Sequence, residues 1–156
     1  MGCCDEVAGE RRVCKDAERY VAGKREGAPR KAVLACEGAC IKGEVARTAA
    51  NLLASRLERE TAARICLGDA VTADSGMLDL VRRAPEVIAI EGCSLRCASV
   101  LLARRAPELK PTVIEAQRLY TYDREKYFEV LDMPRAELDS LAGEVAAQVR
   151  ERCFKG

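Results

Sequence analysis

The chain has 156 residues, 49% hydrophobic and 33% charged, and its 26 basic and 25 acidic residues leave a net charge of +1. That length is typical of one globular domain with a sizeable core, and no stretch approaches the roughly 20 apolar residues of a membrane span. A nearly balanced charge with two Phe, four Tyr and no Trp offers neither the basic footprint nor the stacking surface of nucleic-acid binding, so we expect neither nucleic-acid nor membrane partners.

The N-terminal part predicts a helical extension ahead of the main domain. Apolar residues recur at helical spacing over residues 5–22, and glycine and proline over residues 23–30 are typical of a linker. We therefore expect a cysteine-containing extension over residues 1–30 and a single α/β domain over residues 31–156.

From residue 31 onward, predicted strands alternate with predicted helices. The strands cover residues 31–35, 64–67, 86–90 and 112–115, and the helices cover 44–60, 75–84, 94–105 and a last segment with Asp132 as N-cap and Pro134 in its first turn. Repeats of about 30 residues imply parallel βαβ units. The predicted fold is a Rossmann-like three-layer α/β domain with a mostly parallel sheet of about four strands, plus N- and C-terminal helices. Aromatic residues after position 116 are expected to cover a sheet edge.

Nine cysteines and no histidine are the unusual features of the composition. The segment Met1–Glu6 is too acidic and polar for a secretory signal, so we expect a cytoplasmic, reducing environment. There, regularly spaced thiols indicate metal or redox chemistry more often than disulfides. Without histidine, Cys–His and Ser–His nucleophile pairs are excluded, and any metal must be bound by thiolate, carboxylate, backbone or water.

Five cysteines fall where the predicted strands end. Cys36, Cys66 and Cys93 lie at or near the ends of successive strands, and Cys40 and Cys97 each follow a strand-end cysteine by four residues. Open parallel sheets place their functional sites in the crevice outside the carboxyl ends of the strands. We therefore expect these five thiols to converge at one rim of the sheet and to bind a metal ion.

The chemistry of that rim favours zinc. Ser94 is placed to cap the helix that follows Cys93, which puts Cys97 in a first helical turn, where unpaired N–H groups favour thiolate over thiol. Four thiolates without histidine suit tetrahedral zinc. An iron–sulfur cluster is the alternative, although the spacing lacks the tight C-x₂-C runs of ferredoxins.

The remaining cysteines have simpler explanations. Cys14 and Cys153 lie on apolar helix faces and are expected to pack in the core, since free cysteine behaves as a small hydrophobe. Cys3 and Cys4 are expected to be disordered. Cys66, which lies inside an apolar run, is compatible with either packing or metal binding.

Four sequence pieces, in this order, resemble the DGC-domain family, which is named for a central Asp-Gly-Cys motif. The pieces are Cys36-Glu-Gly-Ala, Gly43-Glu-Val-Ala, Ile65-Cys-Leu and Ile88-Ala-Ile-Glu-Gly-Cys-Ser-Leu-Arg-Cys97. The resemblance covers about residues 31–116, and the family is proposed to bind zinc through four cysteines. It implies that the ligands are Cys36, Cys66, Cys93 and Cys97.

The sequence departs from the family pattern at two positions. Glu91 stands where the name motif has Asp, which keeps the carboxylate but lengthens the side chain. Cys40 stands where a small polar residue is expected, and is therefore either an extra ligand or a reactive thiol.

Three functional hypotheses follow from these thiols. The leading one is a non-catalytic protein that binds zinc or a similar thiophilic ion for sensing, storage or delivery. The second is a thiol-based redox protein or enzyme that uses the Cys93–Cys97 or the Cys36–Cys40 pair. The third is a domain in which zinc has a purely structural role.

Overall fold

The computed structural model describes residues 13–28 and 30–155, in which parallel strands alternate with helices. The elements are α1 (Lys15–Arg25), β1 (Lys31–Ala35), α2 (Ile41–Leu52), β2 (Ala62–Arg64), α3 (Leu67–Thr72), α4 (Met77–Arg83), β3 (Val87–Glu91), α5 (Cys97–Arg105), β4 (Thr112–Glu115) and α6 (Arg135–Phe154). A π-helical turn over Leu53–Leu57 extends α2, and a short 3₁₀ helix over Ala116–Arg118 follows β4.

The four strands form one parallel sheet in the order β2-β1-β3-β4. Helices cover both faces, so the prediction of a Rossmann-like three-layer α/β domain is confirmed. The chain runs from β1 outward to β2 and then crosses to β3 on the other side of β1. The strand order therefore reverses between β1 and β3, and such a switch point is where open α/β sheets bind their ligands.

The core consists of two apolar layers that share the central strands. Val33 of β1 packs toward α2 and α6, whereas the next residue, Leu34, packs toward α1, α3, α4 and α5. All five residues of β3 are buried, as the continuous apolar run over residues 86–90 predicts. Because helices cover both faces of the sheet, β1 and β3 are held in place within it. The loops that follow their carboxyl ends therefore start from fixed positions.

The second strand and the following helix differ from the sequence prediction. The run Arg64–Leu67 was expected to be the strand, but β2 lies over residues 62–64. Helix α3, which begins at Leu67, was not predicted from the sequence. Ile65 still donates its N–H to the Val33 carbonyl of β1 over 2.9 Å, and it is buried with Leu67 in the layer beside α3 and α4. The apolar run therefore covers the end of the strand pairing and the start of α3.

Three further expectations are revised by the structure. Helix α1 begins at Lys15, while residues 5–12 of the helix predicted over 5–22 lie outside the described residues. Pro134 is the N-cap of α6 and not part of its first turn. The aromatic residues do not cover a sheet edge, because Tyr120 and Tyr127 are buried against the α2–α6 face and Phe128 is 92% exposed.

Among the described residues, no helix is both long and apolar enough to cross a membrane. The division of the chain at residue 30 stays a prediction. Within the described part, α1 packs against α4 and closes the layer that contains Val21 and Leu34.

Candidate metal centre

Two loops meet at the switch point through direct backbone contact. The first joins β1 to α2, and the second joins β3 to α5. A Cβ atom on Gly92 would stand 2.9 Å from the Gly43 nitrogen and from the Lys42 carbonyl group. A Cβ on Gly43 would stand 2.9 Å from the Cα and carbonyl carbon of Gly38, and closer still to its carbonyl oxygen. Only glycine leaves room for these approaches: Gly92 lets the second loop contact the start of α2, and Gly43 lets the first loop fold back on the same helix.

The two loops carry four of the five predicted site cysteines. Cys36 is buried, and the Gly38 N–H donates to its Sγ over 3.4 Å. Cys40 is the exposed N-cap of α2, Cys93 is half-buried, and Cys97 is the exposed first residue of α5. These four are called the rim thiols below.

Cys36 lies closest to the interior of the rim. Burial raises the pKa of its thiol, the N–H groups of Gly38 and Gly92 partly oppose that rise, and the nearby Glu91 and Cys97 add to it. The Cys36 thiol is therefore protonated near neutral pH. Any metal that binds there must displace its proton, which makes binding weaker as the pH falls.

Tyr120 places an unused hydroxyl beside the rim. Its oxygen is buried and has no hydrogen-bond partner among the described residues. Burial raises the pKa of this hydroxyl, and Cys40 and Cys93 are close enough to contribute to the rise. The group therefore stays protonated, as a buried donor on the side of the sheet end that carries Cys40 and Cys93.

Glu91 stabilises the start of α5 from inside the protein. Its carboxylate is fully buried and accepts hydrogen bonds from the Ser99 N–H (2.7 Å), the Ser99 hydroxyl (2.7 Å) and the Ala98 N–H (3.3 Å). The expectation that Ser94 caps this helix is wrong, since α5 begins at Cys97 and Ser94 lies in the preceding turn. The carboxylate of the Glu-Gly-Cys motif thus has a structural role that spacing alone did not indicate.

Arg96, between Cys93 and Cys97, adopts a left-handed backbone conformation with φ 52°. Its guanidinium donates through Nε and Nη2 to one oxygen of the buried Glu115 carboxylate (3.0 and 2.8 Å), and Arg118 donates to the other (2.7 Å). The Arg96 guanidinium, followed by Arg118, holds the pKa of Glu115 below its usual range. This pairing offsets the backbone strain at Arg96 and fixes the loop that carries the two cysteines.

Cys66 lies one strand further out than the rim thiols. It is the exposed N-cap of α3 and lines a cavity of about 570 Å³ beyond the carboxyl end of β2, together with Glu37 and Arg64.

The predictions for the cysteines outside the candidate site are only partly confirmed. Cys153 is half-buried against the α2–α6 layer, as expected for core packing, and burial raises the pKa of its thiol. The expectation for Cys14 is wrong, because it is the exposed N-cap of α1. Cys3 and Cys4 lie outside the described residues.

In residues 13–28 and 30–155, no three Cys, Asp or Glu side chains converge closely enough to form a ready metal-binding group. The rim thiols are therefore neighbours and not a closed ligand shell. Cys40 and Cys97 are exposed at the starts of α2 and α5, where no packing holds their side chains in one rotamer.

Comparison with known proteins gives one match. A family model described as the DGC domain matches residues 32–149, so it extends past the expected limit of residue 116 and into α6. No curated protein and no solved structure matches the chain.

Proposed function

The chain belongs to the DGC-domain family, and from this membership and the arrangement of the rim thiols we propose that it binds zinc or a similar thiophilic ion at the switch point of its sheet. In this proposal the ion is cargo or signal for sensing, storage or delivery, and the protein carries out no reaction on it. The observation that supports the proposal is the backbone contact of Gly92 with Lys42 and Gly43, which sets the loop of Cys93 and Cys97 against the segment that follows Cys36 and Cys40.

The donor chemistry at the rim fits such an ion. Thiolates are the ligands that zinc and other soft ions prefer where histidine is absent. The buried Tyr120 hydroxyl beside Cys40 and Cys93 is a donor without an acceptor, and a metal-bound thiolate would supply that acceptor. A buried donor without an acceptor is thus a second argument, separate from the cysteines, for an anionic group at this place.

Two ligand assignments share Cys36, Cys93 and Cys97 and differ in the fourth thiolate. The family resemblance implies Cys66, whereas the neighbourhood of Tyr120 favours Cys40. Cys66 instead opens onto the cavity at the sheet edge. We therefore propose Cys40 as the fourth ligand.

Single Cys→Ser variants test this assignment by competition titration of zinc against a chromophoric chelator. We expect Cys36→Ser, Cys93→Ser and Cys97→Ser each to lower zinc affinity by at least about 100-fold, since each removes one of four bonds in a tetrahedral site. Cys40→Ser should behave like them. Cys66→Ser should bind like wild type, as should the control Cys14→Ser, whose exposed thiol lies at the start of α1.

Opposite outcomes have defined meanings. Weakening by Cys66→Ser but not by Cys40→Ser would transfer the fourth position to Cys66. Unchanged affinity in Cys93→Ser would contradict the site. A metal-free protein with an oxidised Cys93–Cys97 pair would make the redox hypothesis correct, and unfolding on chelation would indicate a structural zinc.

Replacing Tyr120 by Phe should lower zinc affinity about 10-fold, because a hydrogen bond to a ligating sulfur stabilises the metal-bound thiolate. The same titration measures it. Tyr122→Phe is the matched control, since its ring stacks on Tyr120 at 6.1 Å between centroids. Equal affinities in both variants would mean that the Tyr120 hydroxyl does not contact the ligand set.

A further inference from the structure

We propose that the outer edge of β4 is a docking groove for an extended acidic peptide segment of a partner protein, which adds to the sheet as a fifth strand. The groove, called the β4 groove below, has a volume of about 230 Å³. Its lining residues are Arg96, Val113, Ile114, Glu115, Arg118, Leu119 and Arg152. This proposal is independent of metal binding.

The β4 edge has backbone groups available for pairing. In a parallel ladder alternate residues bond to one neighbour, and the register Ala89↔Val113 leaves the Val113 N–H and C=O and the Glu115 N–H pointing away from β3. Within the described part of the chain these three groups have no hydrogen-bond partner. An uncovered edge of this kind is a template for another strand.

The opposite edge of the sheet, formed by β2, is covered by another element, in contrast to the β4 edge. On β2 the outward Arg64 N–H donates to the Tyr20 hydroxyl oxygen over 2.8 Å. The outward Ala62 carbonyl accepts from Lys24 Nζ over 3.4 Å. Helix α1 thus covers the β2 edge, and among the described residues no equivalent element covers β4.

Charge identifies the kind of strand that fits. Among its lining residues the β4 groove has three guanidinium groups and one carboxylate, that of Glu115. Arg96 and Arg118 already neutralise Glu115, and both remain more than half exposed. The groove therefore carries an excess of positive charge along an unpaired strand, which favours a segment whose alternate side chains are Asp or Glu.

The same charge disfavours a second copy of this chain. Pairing two β4 edges would bring together two grooves whose lining residues carry the same net positive charge. Like charges placed opposite one another across an interface cost several kcal/mol. Val113 and Leu119 also provide only a small apolar surface in the groove, so little burial would offset the repulsion.

The test uses a fluorescein-labelled nonapeptide of alternating Val and Glu with blocked ends, added to the full-length protein and followed by fluorescence anisotropy. We expect saturable binding that weakens from 50 to 200 mM salt. The double variant Arg118→Glu/Arg152→Glu should lower the affinity at least tenfold. Arg104→Glu, which reverses one charge on the exposed surface of α5, should leave the affinity unchanged, whereas Arg118→Glu alone should already lower it.

Strand addition is tested separately from charge attraction. Hydrogen exchange should slow at the Val113 and Glu115 amides on peptide addition, and a peptide N-methylated at alternate residues should lose binding. Binding without that protection, binding of a Lys-for-Glu peptide with equal affinity, or no binding would each overturn the proposal. A concentration-dependent dimer that protects β4 would assign the groove to a second copy instead.

Discussion

Replacing Gly43 by Ala is expected to destabilise the protein by about 2 kcal/mol and to weaken zinc binding. The added Cβ would collide with the backbone of Gly38, which cannot rotate away as a side chain could. Such overpacking costs up to about 3 kcal/mol, while the better helix propensity of alanine in α2 returns about 1 kcal/mol. The strain would be relieved by separating the loop that carries Cys36 and Cys40 from its helix.

Gly143→Ala provides a control with the opposite expected sign. Gly143 lies within α6, and a Cβ there would meet no atom within 4 Å. The same substitution should therefore stabilise the protein by about 0.5–1 kcal/mol through helix propensity alone. Urea unfolding of both variants measures the difference, and a stabilising effect in both would contradict the close loop contact.

Replacing Glu91 by Ala is expected to destabilise the protein by about 3 kcal/mol. The carboxylate accepts three hydrogen bonds at the start of α5, and its loss leaves the N–H groups of Ala98 and Ser99 unpaired in a buried place. A buried donor left unpaired costs about 1–3 kcal/mol, and only the Ala98 N–H is fully buried, so the two donors together cost about 3 kcal/mol. The positions of Cys93 and Cys97 depend on that helix start, so zinc affinity should also fall.

Two further variants distinguish the loss of the helix cap from the loss of any glutamate side chain. Glu91→Gln keeps one acceptor oxygen for Ser99 but loses the charge and the second oxygen, which accepts from the Ala98 N–H, so it should cost about half as much as Glu91→Ala. Glu144→Ala removes an exposed carboxylate from α6 and should change stability by less than about 0.5 kcal/mol. Similar unfolding midpoints for Glu91→Ala and Glu144→Ala would show that Glu91 does not cap α5.

The sequence was sufficient to predict the layers of the fold and the edge of the sheet at which the candidate site lies. The length and periodicity of the apolar runs indicated β1, β3 and β4. Because a helix lies between successive strands, the strands are expected to pair in parallel. Cysteines at strand ends then have to lie at one edge of the sheet, which is where Cys36 and Cys93 are found. These steps use only alternation and chain connectivity.

Contacts between segments distant in sequence could not be predicted in this way. The approach of Gly92 to Gly43 depends on the order β2-β1-β3, which a single sequence does not encode as a local pattern. The same order places β1 between the strands that precede Cys66 and Cys93. The bond from Glu91 into α5 is likewise tertiary, because its carboxylate reaches N–H groups seven and eight residues later across a turn.

The central claim is that the rim thiols bind a thiophilic ion, and elemental analysis tests it most directly. The protein would be prepared without oxygen and without an affinity metal, and its metal content and free thiols would be measured together. We expect about one zinc per chain, with about four of the nine thiols unreactive until a chelator is added. Protein that is folded and free of metal, with every reduced thiol reactive and no gain of protection on adding zinc, would contradict it.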